Sequence, residues 1–220
     1  IVVKGVRIGF LAASQTLNEK MPFTYVLLAD YESERQSEEL IGMVGALAPR
    51  CDLFIVSYHG GREYVREPER ARMRLFRRLL EAGADIVDGQ HPHVPQGYEL
   101  AERGEGRGLI LYSAGNFISG MTWGIDPEKP HLERAWTGDS LLWVISVSCS
   151  QGRCSVEDVW PVPVTNVRGR FGTMAVSTFP GLAAHGMTGD WTDYYRERSR
   201  RMAEQLRIWE RRSVDPIPVR

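Results

Sequence analysis

Asp85-Ile86-Val87-Asp88-Gly89-Gln90-His91-Pro92-His93 decides how this chain is read. A short apolar run ends at a glycine turn, and two histidines follow with one proline between them. Proline fixes its own φ, removes a backbone donor and pushes the preceding residue toward extended backbone. In extended chain, residues i and i+2 point to one side. The expectation is therefore that His91 and His93 leave the backbone together, from a loop at the end of a buried strand. Neutral imidazole is a common ligand of zinc, manganese, iron and nickel. Two such ligands can serve one ion, or two ions about 3.5–4 Å apart. The alternative, a pair of solvated loop histidines, stays open on this motif alone.

Working outward, the same grammar repeats. Gly5 to Ala12 reads as a strand, and Ser14 to Thr24, with Pro22, reads as a loop. Tyr25 to Ala29 reads as a further short strand. Leu40, Ile41, Val44 and Leu47 recur at helical spacing between Ser33 and Ala48. Asp52 to Tyr58 is apolar enough for a strand buried on both faces, and it runs into His59-Gly60-Gly61-Arg62-Glu63-Tyr64. A second helix opens after Pro68 and closes at Gly83, with Ala71, Leu75, Phe76, Leu79 and Leu80 as its apolar face. Arg70, Arg72, Arg74, Arg77 and Arg78 are expected on its solvated face. Ala84 to Val87 and Gly108 to Tyr112 complete the strands, the second running into Ser113-Ala114-Gly115-Asn116-Phe117. Alternating strands and helices predict an α/β fold with its special polar residues at the C-terminal strand ends. His59, His91 and Asn116 are then expected at one sheet edge.

After Trp123 the grammar changes. Ile125 to Thr137 reads as loop, and Ser140 to Cys149 with Arg153 to Val164 reads as an antiparallel hairpin. Thr165 to Gly189 shows no period. A helix over 191–212 carries Tyr195, Met202, Leu206 and Trp209 as a core stripe, and 214–220 reads as a tail.

With 27 basic and 28 acidic residues the formal charge is −1, so no global field favours nucleic acid or an anionic membrane. Only Lys4, Lys20 and Lys129 are lysines. No apolar run reaches the roughly 18 residues that span a bilayer. Three cysteines are too few for a disulfide scaffold. Cys149 and Cys154 flank a hairpin loop, where a disulfide and two reduced strand cysteines are equally good readings. Ile1-Val2-Val3 reads as the edge of an element already under way, so the chain is expected to continue upstream.

Three segments together carry a resemblance. Asp52 to Tyr64 resembles the strand and H-W-G-x-E-Y motif of the CapA family of poly-γ-glutamate capsule synthesis proteins. Ala82 to Val94 is similar to its G-A-D-x-V-x-G-x-H-P-H segment, and Tyr112 to Phe117 to its Y-S-L-G-N-F. Trp160-Pro161-Val162 is similar to its final strands. The resemblance covers roughly residues 1 to 165, leaving 166–220 as a C-terminal extension. It implies a layered α/β/β/α metallophosphatase-like sandwich, incomplete at its N-terminus. Gly60 stands where the family has Trp, and Asp88 where it has an apolar residue. The family's Gly-Asp, Asn-Leu-Glu and Asn-Asn-His motifs, which supply acidic and bridging ligands, have no match before His59. Asp30 and Asp52 are candidates by default, and capping explains them better.

The resemblance further implies two divalent ions (manganese, iron or zinc), with His59 and His91 on one and His93 on the other. His59 and Glu63 are expected to act in catalysis, Glu63 by orienting a histidine or accepting a proton. Asn116 and Gly61 are expected to contact substrate, although Asn116 also suits a loop cap. Tyr58 and Tyr64 are expected to pack. The implied partners are an anionic polymer or phosphoester substrate and a membrane-bound synthase complex, at the cell envelope or outside the cytoplasm. The residues themselves do not exclude the cytoplasm. A metal-dependent hydrolase and a non-catalytic polymer-binding or anchoring accessory are the two functional expectations. A Ser/His/Asp hydrolase is excluded for want of G-x-S-x-G.

Overall fold

Buried β-branched and aromatic runs form strands, and runs with one apolar stripe form the helices that cover them. A computed structural model describes residues 1–17, 25–103, 106–120, 128, 131–168, 174–184 and 190–214. In chain order the elements are β1 (Val2–Val3), β2 (Val6–Ser14), α1 (Glu34–Leu47), β3 (Leu53–His59), α2 (Arg70–Glu81), β4 (Ile86–Gln90), β5 (Tyr98–Arg103) and β6 (Gly106–Leu111). Then come α3 (Leu132–Ala135), β7 (Asp139–Ser150), β8 (Arg153–Arg168), β9 (Met174–Thr178), α4 (Phe179–Ala184) and α5 (Asp190–Val214).

The main sheet has the order β1-β2-β3-β4-β6-β5. Its centre, β2-β3-β4-β6, is parallel, with β1 and β5 antiparallel at the edges. A second sheet, β7-β8-β9, is antiparallel. The period-two alternation of the central strands sorts their side chains between two cores. Phe54, Val56, Tyr58, Val87 and Ile110 face α1 and α2, where Leu40, Val44, Phe76 and Leu79 meet them. Ile86, Leu109 and Leu111 face the other way, against Leu141, Val156 and Val159 of the second sheet and Met202 and Trp209 of α5. The second sheet does not cover β2: Phe10, on the side of β2 away from the helices, is 61% exposed and lines an open cleft. This is an α/β fold with a mixed main sheet.

Several expectations are corrected. Tyr25 to Ala29 forms no strand; one bridge joins Leu28 to Ser14. The apolar run after Asp85 does not end in a glycine turn. Gly89 lies inside β4, where a Cβ would run into the Tyr112 carbonyl, so the close approach of two strands explains the glycine. Tyr98–Arg103, not expected as a strand, adds antiparallel to β6. Residues 131–137 hold α3 and the start of a 3-10 turn rather than loop alone. The aperiodic 165–189 stretch contains β9 and α4. The loop readings of 18–24, 125–127 and 129–130 and the tail 215–220 lie outside the described residues.

Arg72 is the sharpest correction. Expected on a solvated face, it is fully buried. It stands four residues before Phe76 and three before Leu75, so it shares their helical stripe.

Cys149 and Cys154 face each other across the β7–β8 hairpin and are joined in a disulfide; Cys51 is free. Thiol titration of the unfolded, unreduced protein should therefore find one thiol, rising to three after reduction. Three before reduction would show the hairpin pair reduced. Among the described residues no helix is long and apolar enough to cross a membrane.

Candidate metal centre

Three parallel strands deliver the site to one edge. His59 is the last residue of β3, His91 follows β4 directly, and Asn116 lies in the loop after β6. The β3–β4 register pairs His59 with Gln90, and the Gly60 N–H donates to the Gln90 carbonyl at 3.1 Å. That pairing brings the two histidine loops side by side.

The rings do converge, but not through extended backbone. His91 has φ +101° and His93 has φ +60°, where an extended H-P-H was expected. Tyr64, which stacks on His93 at 5.8 Å between centroids, has φ +62°. Its N–H donates to the Pro92 carbonyl at 2.8 Å, which ties the two bent loops together. Non-glycine residues in this region carry strain of about 1–3 kcal/mol each and cluster at functional sites.

The His59 and His91 rings lie 4.6 Å apart between centroids, and those of His91 and His93 5.5 Å. Among the described residues, one set of three donors that suits a metal ion is Glu63, His91 and His93, with ligand atoms all within 4.8 Å of one another. Glu63 Oε1 is 3.7 Å from His91 Nε2. The resemblance put His59 with His91 on one ion and Glu63 behind a histidine; His59 does lie beside His91, and Glu63 stands among the donor atoms of His91 and His93 themselves. Sequence spacing gave no sign of this, because Glu63 and His93 meet only through the paired strand ends.

Hydrogen bonding prepares His93. Its Nδ1 is 2.9 Å from Asn116 Oδ1. Asn116 Nδ2 donates to the Thr137 carbonyl at 3.0 Å, which fixes the amide so that Oδ1 is the atom facing the ring. Nδ1 must then carry the proton, leaving Nε2 as the lone-pair donor. Asn116 thus sits against a histidine. The Gly61 N–H donates to Gln15 Oε1 at 2.9 Å, so that amide is already engaged. Burial, reinforced by His93, holds His59 below the usual imidazole pKa. Burial and the neighbouring His59 do the same to His91, against the opposing pull of Glu63. Neutral imidazoles are the form that binds metal.

The cluster borders a cleft of about 660 Å³ walled by Phe10, Ile55, Leu141 and Trp143. Asp88 lines it too, and burial raises its carboxyl pKa. Its position on the cleft face was legible, since it stands two residues before Gln90 on the same strand. Asp30 accepts from Gln15 Nε2 and the Glu32 N–H, and Asp52 pairs with Arg7 at 2.6 Å. Asp52 lies at the opposite end of β3 from His59, while Asp30 reaches the 59–61 turn only through Gln15, and Ser33 rather than Asp30 caps α1. Tyr58 is buried and donates to the Ala29 carbonyl.

The profile of the family described as bacterial capsule synthesis protein PGA_cap matches residues 1–121, more than half of the chain. The chain belongs to this family. It is 32% identical over 120 residues to the capsule biosynthesis protein CapA of Bacillus anthracis, covering 53% of this chain and 26% of that one. It is 35% identical over 86 residues to the PGA biosynthesis protein CapA of Bacillus subtilis (strain 168), covering 39% and 22%. The chain thus spans about a quarter of the length of the curated relatives it matches. All of the candidate PGA_cap site residues, His59 to Asn116, fall within the matched 1–121 segment.

Proposed function

We propose that this PGA_cap chain carries a divalent metal site at His91, His93 and Glu63, with His59 alongside, and serves capsule-polymer biosynthesis as a metal-dependent hydrolase. The observation that carries the reading is the convergence of three donors within 4.8 Å, with the His93 tautomer already fixed by Asn116. Two imidazoles and a carboxylate suit zinc, manganese or iron. A bound divalent ion would supply Lewis acidity and lower the pKa of a coordinated water. The protein's own part is to present neutral imidazole nitrogens, to hold His93 through Asn116, and to keep a carboxylate at Glu63 within reach of a transferable proton. The open cleft leaves room for an anionic polymer or a phosphoester. The layered α/β/β/α arrangement of metallophosphatase-like proteins fits the helices on one face of the main sheet and the second sheet with α5 on the other. Action beside a membrane-bound synthase at the cell envelope follows from the same resemblance.

A specific observation favours a second reading. Among the described residues the acids offered by default, Asp30 and Asp52, already have partners, and Glu63 with Asp88, whose carboxyl burial keeps toward its neutral form, is a thin supply of carboxylate for two ions. On that reading the chain binds or anchors the polymer without cleaving it.

The deciding measurement is metal content after loading with manganese, zinc and iron, in the native chain and in a His91→Ala/His93→Ala variant. About one equivalent or more, lost in the variant, is expected. Phosphoester hydrolysis by the loaded chain then separates hydrolase from accessory. No metal in either protein would sink the metal reading.

A further inference from the structure

The loops that bring the candidate ligands together share one hydrogen-bonding partner, which binds their backbone and neighbouring side chains. It is Arg72 of α2, completely buried. Its Nη1 donates to the Gly60 carbonyl at 3.0 Å and to the Tyr112 carbonyl at 3.2 Å. Its Nη2 donates to Gln96 Oε1. Nε lies 3.2 Å from Glu69 Oε2, an ion pair without an aligned hydrogen bond.

Each contact lands on a segment that carries a site residue. Gly60 follows His59. Gln96 stands three residues past His93. Tyr112 stands four residues before Asn116. Two of these partners extend the reach. Gln96 Nε2 donates to the Val65 carbonyl at 2.6 Å, and Glu69 Oε1 accepts from the Arg62 N–H, so both sides of Glu63 are tied to the same centre. Carbonyls at the ends of parallel strands have no further ladder partner and must find donors elsewhere. A planar guanidinium with five donors can face several of them at once, whereas a lysine ammonium is a compact point charge. The loop fits closely over it. A Cβ at Gly61 would sit 2.9 Å from Arg72 Cζ, and Gly61 has φ +119°, so glycine lets the 59–61 turn lie directly on the guanidinium.

We propose that Arg72 is the positioning residue of the histidine cluster: it holds the 59–65, 93–96 and 112–116 segments in the relative placement that brings the donor atoms together. The proposal rests on the metal reading above for its functional meaning, and on the hydrogen bonds alone for its structural content.

The test compares Arg72→Met, Arg72→Lys and Leu79→Ala. Leu79 is a buried core residue of the same helix and serves as the control for lost stability. Three quantities are read: melting temperature, amide hydrogen exchange, and zinc and manganese affinity. In Arg72→Met, exchange in the three loops should rise about tenfold or more beyond any rise in β3 and β6. Metal affinity should fall roughly 10–100-fold, the scale on which groups that orient ligands act. Arg72→Lys should recover only part of both. Leu79→Ala should melt earlier, yet keep metal affinity within about twofold and show no selective loop exchange. Should Arg72→Met fail to fold, Arg72→Lys against Leu79→Ala makes the same comparison. Equal loss of affinity in Leu79→Ala and an arginine variant of matched melting temperature would overturn the proposal. So would unchanged loop exchange in the arginine variants. If the native chain takes up no metal, the metal reading fails separately, and loop exchange still decides the role of Arg72.

Discussion

Arg198→Met should lower the stability of the chain by about 3–5 kcal/mol, the cost of leaving a buried charge without its partner. Arg198 is 2% exposed and Asp139 3%, and they pair between α5 and the start of β7. The guanidinium also donates to Thr165 Oγ1 at 2.8 Å, and its Cζ lies 5.2 and 5.0 Å from the Tyr194 and Tyr195 ring centroids. Methionine keeps much of the stem's packing and removes every polar contact. For a domain of this size about 2–4 °C of melting temperature accompany each kcal/mol, so a fall of roughly 6–20 °C is expected. An Asp139→Leu/Arg198→Met double variant should recover part of that loss, because replacing both members of a buried pair by apolar groups is often neutral. A single variant that melts within about 2 °C of the native chain would show that the pair contributes little.

Asn116→Leu should weaken metal binding about 10–100-fold while the chain stays folded. Leucine nearly matches asparagine in size and offers no acceptor to His93 Nδ1. The ring is then free to rotate and to place its proton on Nε2, the nitrogen that must bind the ion. Asn116→Asp makes the contrast. It restores an acceptor to Nδ1, loses the donor to the Thr137 carbonyl, and should retain more affinity than leucine does. Affinity unchanged in Asn116→Leu would mean that His93 is held by its stacking on Tyr64 instead.

The parallel sheet was legible because its strands are short apolar runs with helices between them, and the β7–β8 hairpin because it alternates. Edge strand β5 was hidden by its composition: Tyr98-Glu-Leu-Ala-Glu-Arg103 is half-charged, and its stability comes from pairing with β6, a neighbour the local pattern does not announce. At the site, His59, His91, His93 and Asn116 were readable as residues at strand ends. Their meeting at one sheet edge was readable too; the place of Glu63 among the donors was not, nor was the backbone with positive φ, which Pro92 gives no reason to expect. Arg72 was misread for a different reason. Its spacing to Leu75 and Phe76 already placed it on the buried stripe, but residue type outweighed periodicity, and arginine is almost never fully buried unless paired. Here it is paired, with carbonyls, an amide and a carboxylate.

The bent backbone at His91 sets stability against the proposed metal site at one position. Glycine adopts φ +101° at no steric cost, and any L side chain there is held against its own preference. Selection for a more robust scaffold would therefore drift toward glycine at 91 and erase an imidazole from the cluster. Stabilising this protein by design accordingly calls for leaving 91, 93 and 64 untouched and working in the α5–hairpin core instead.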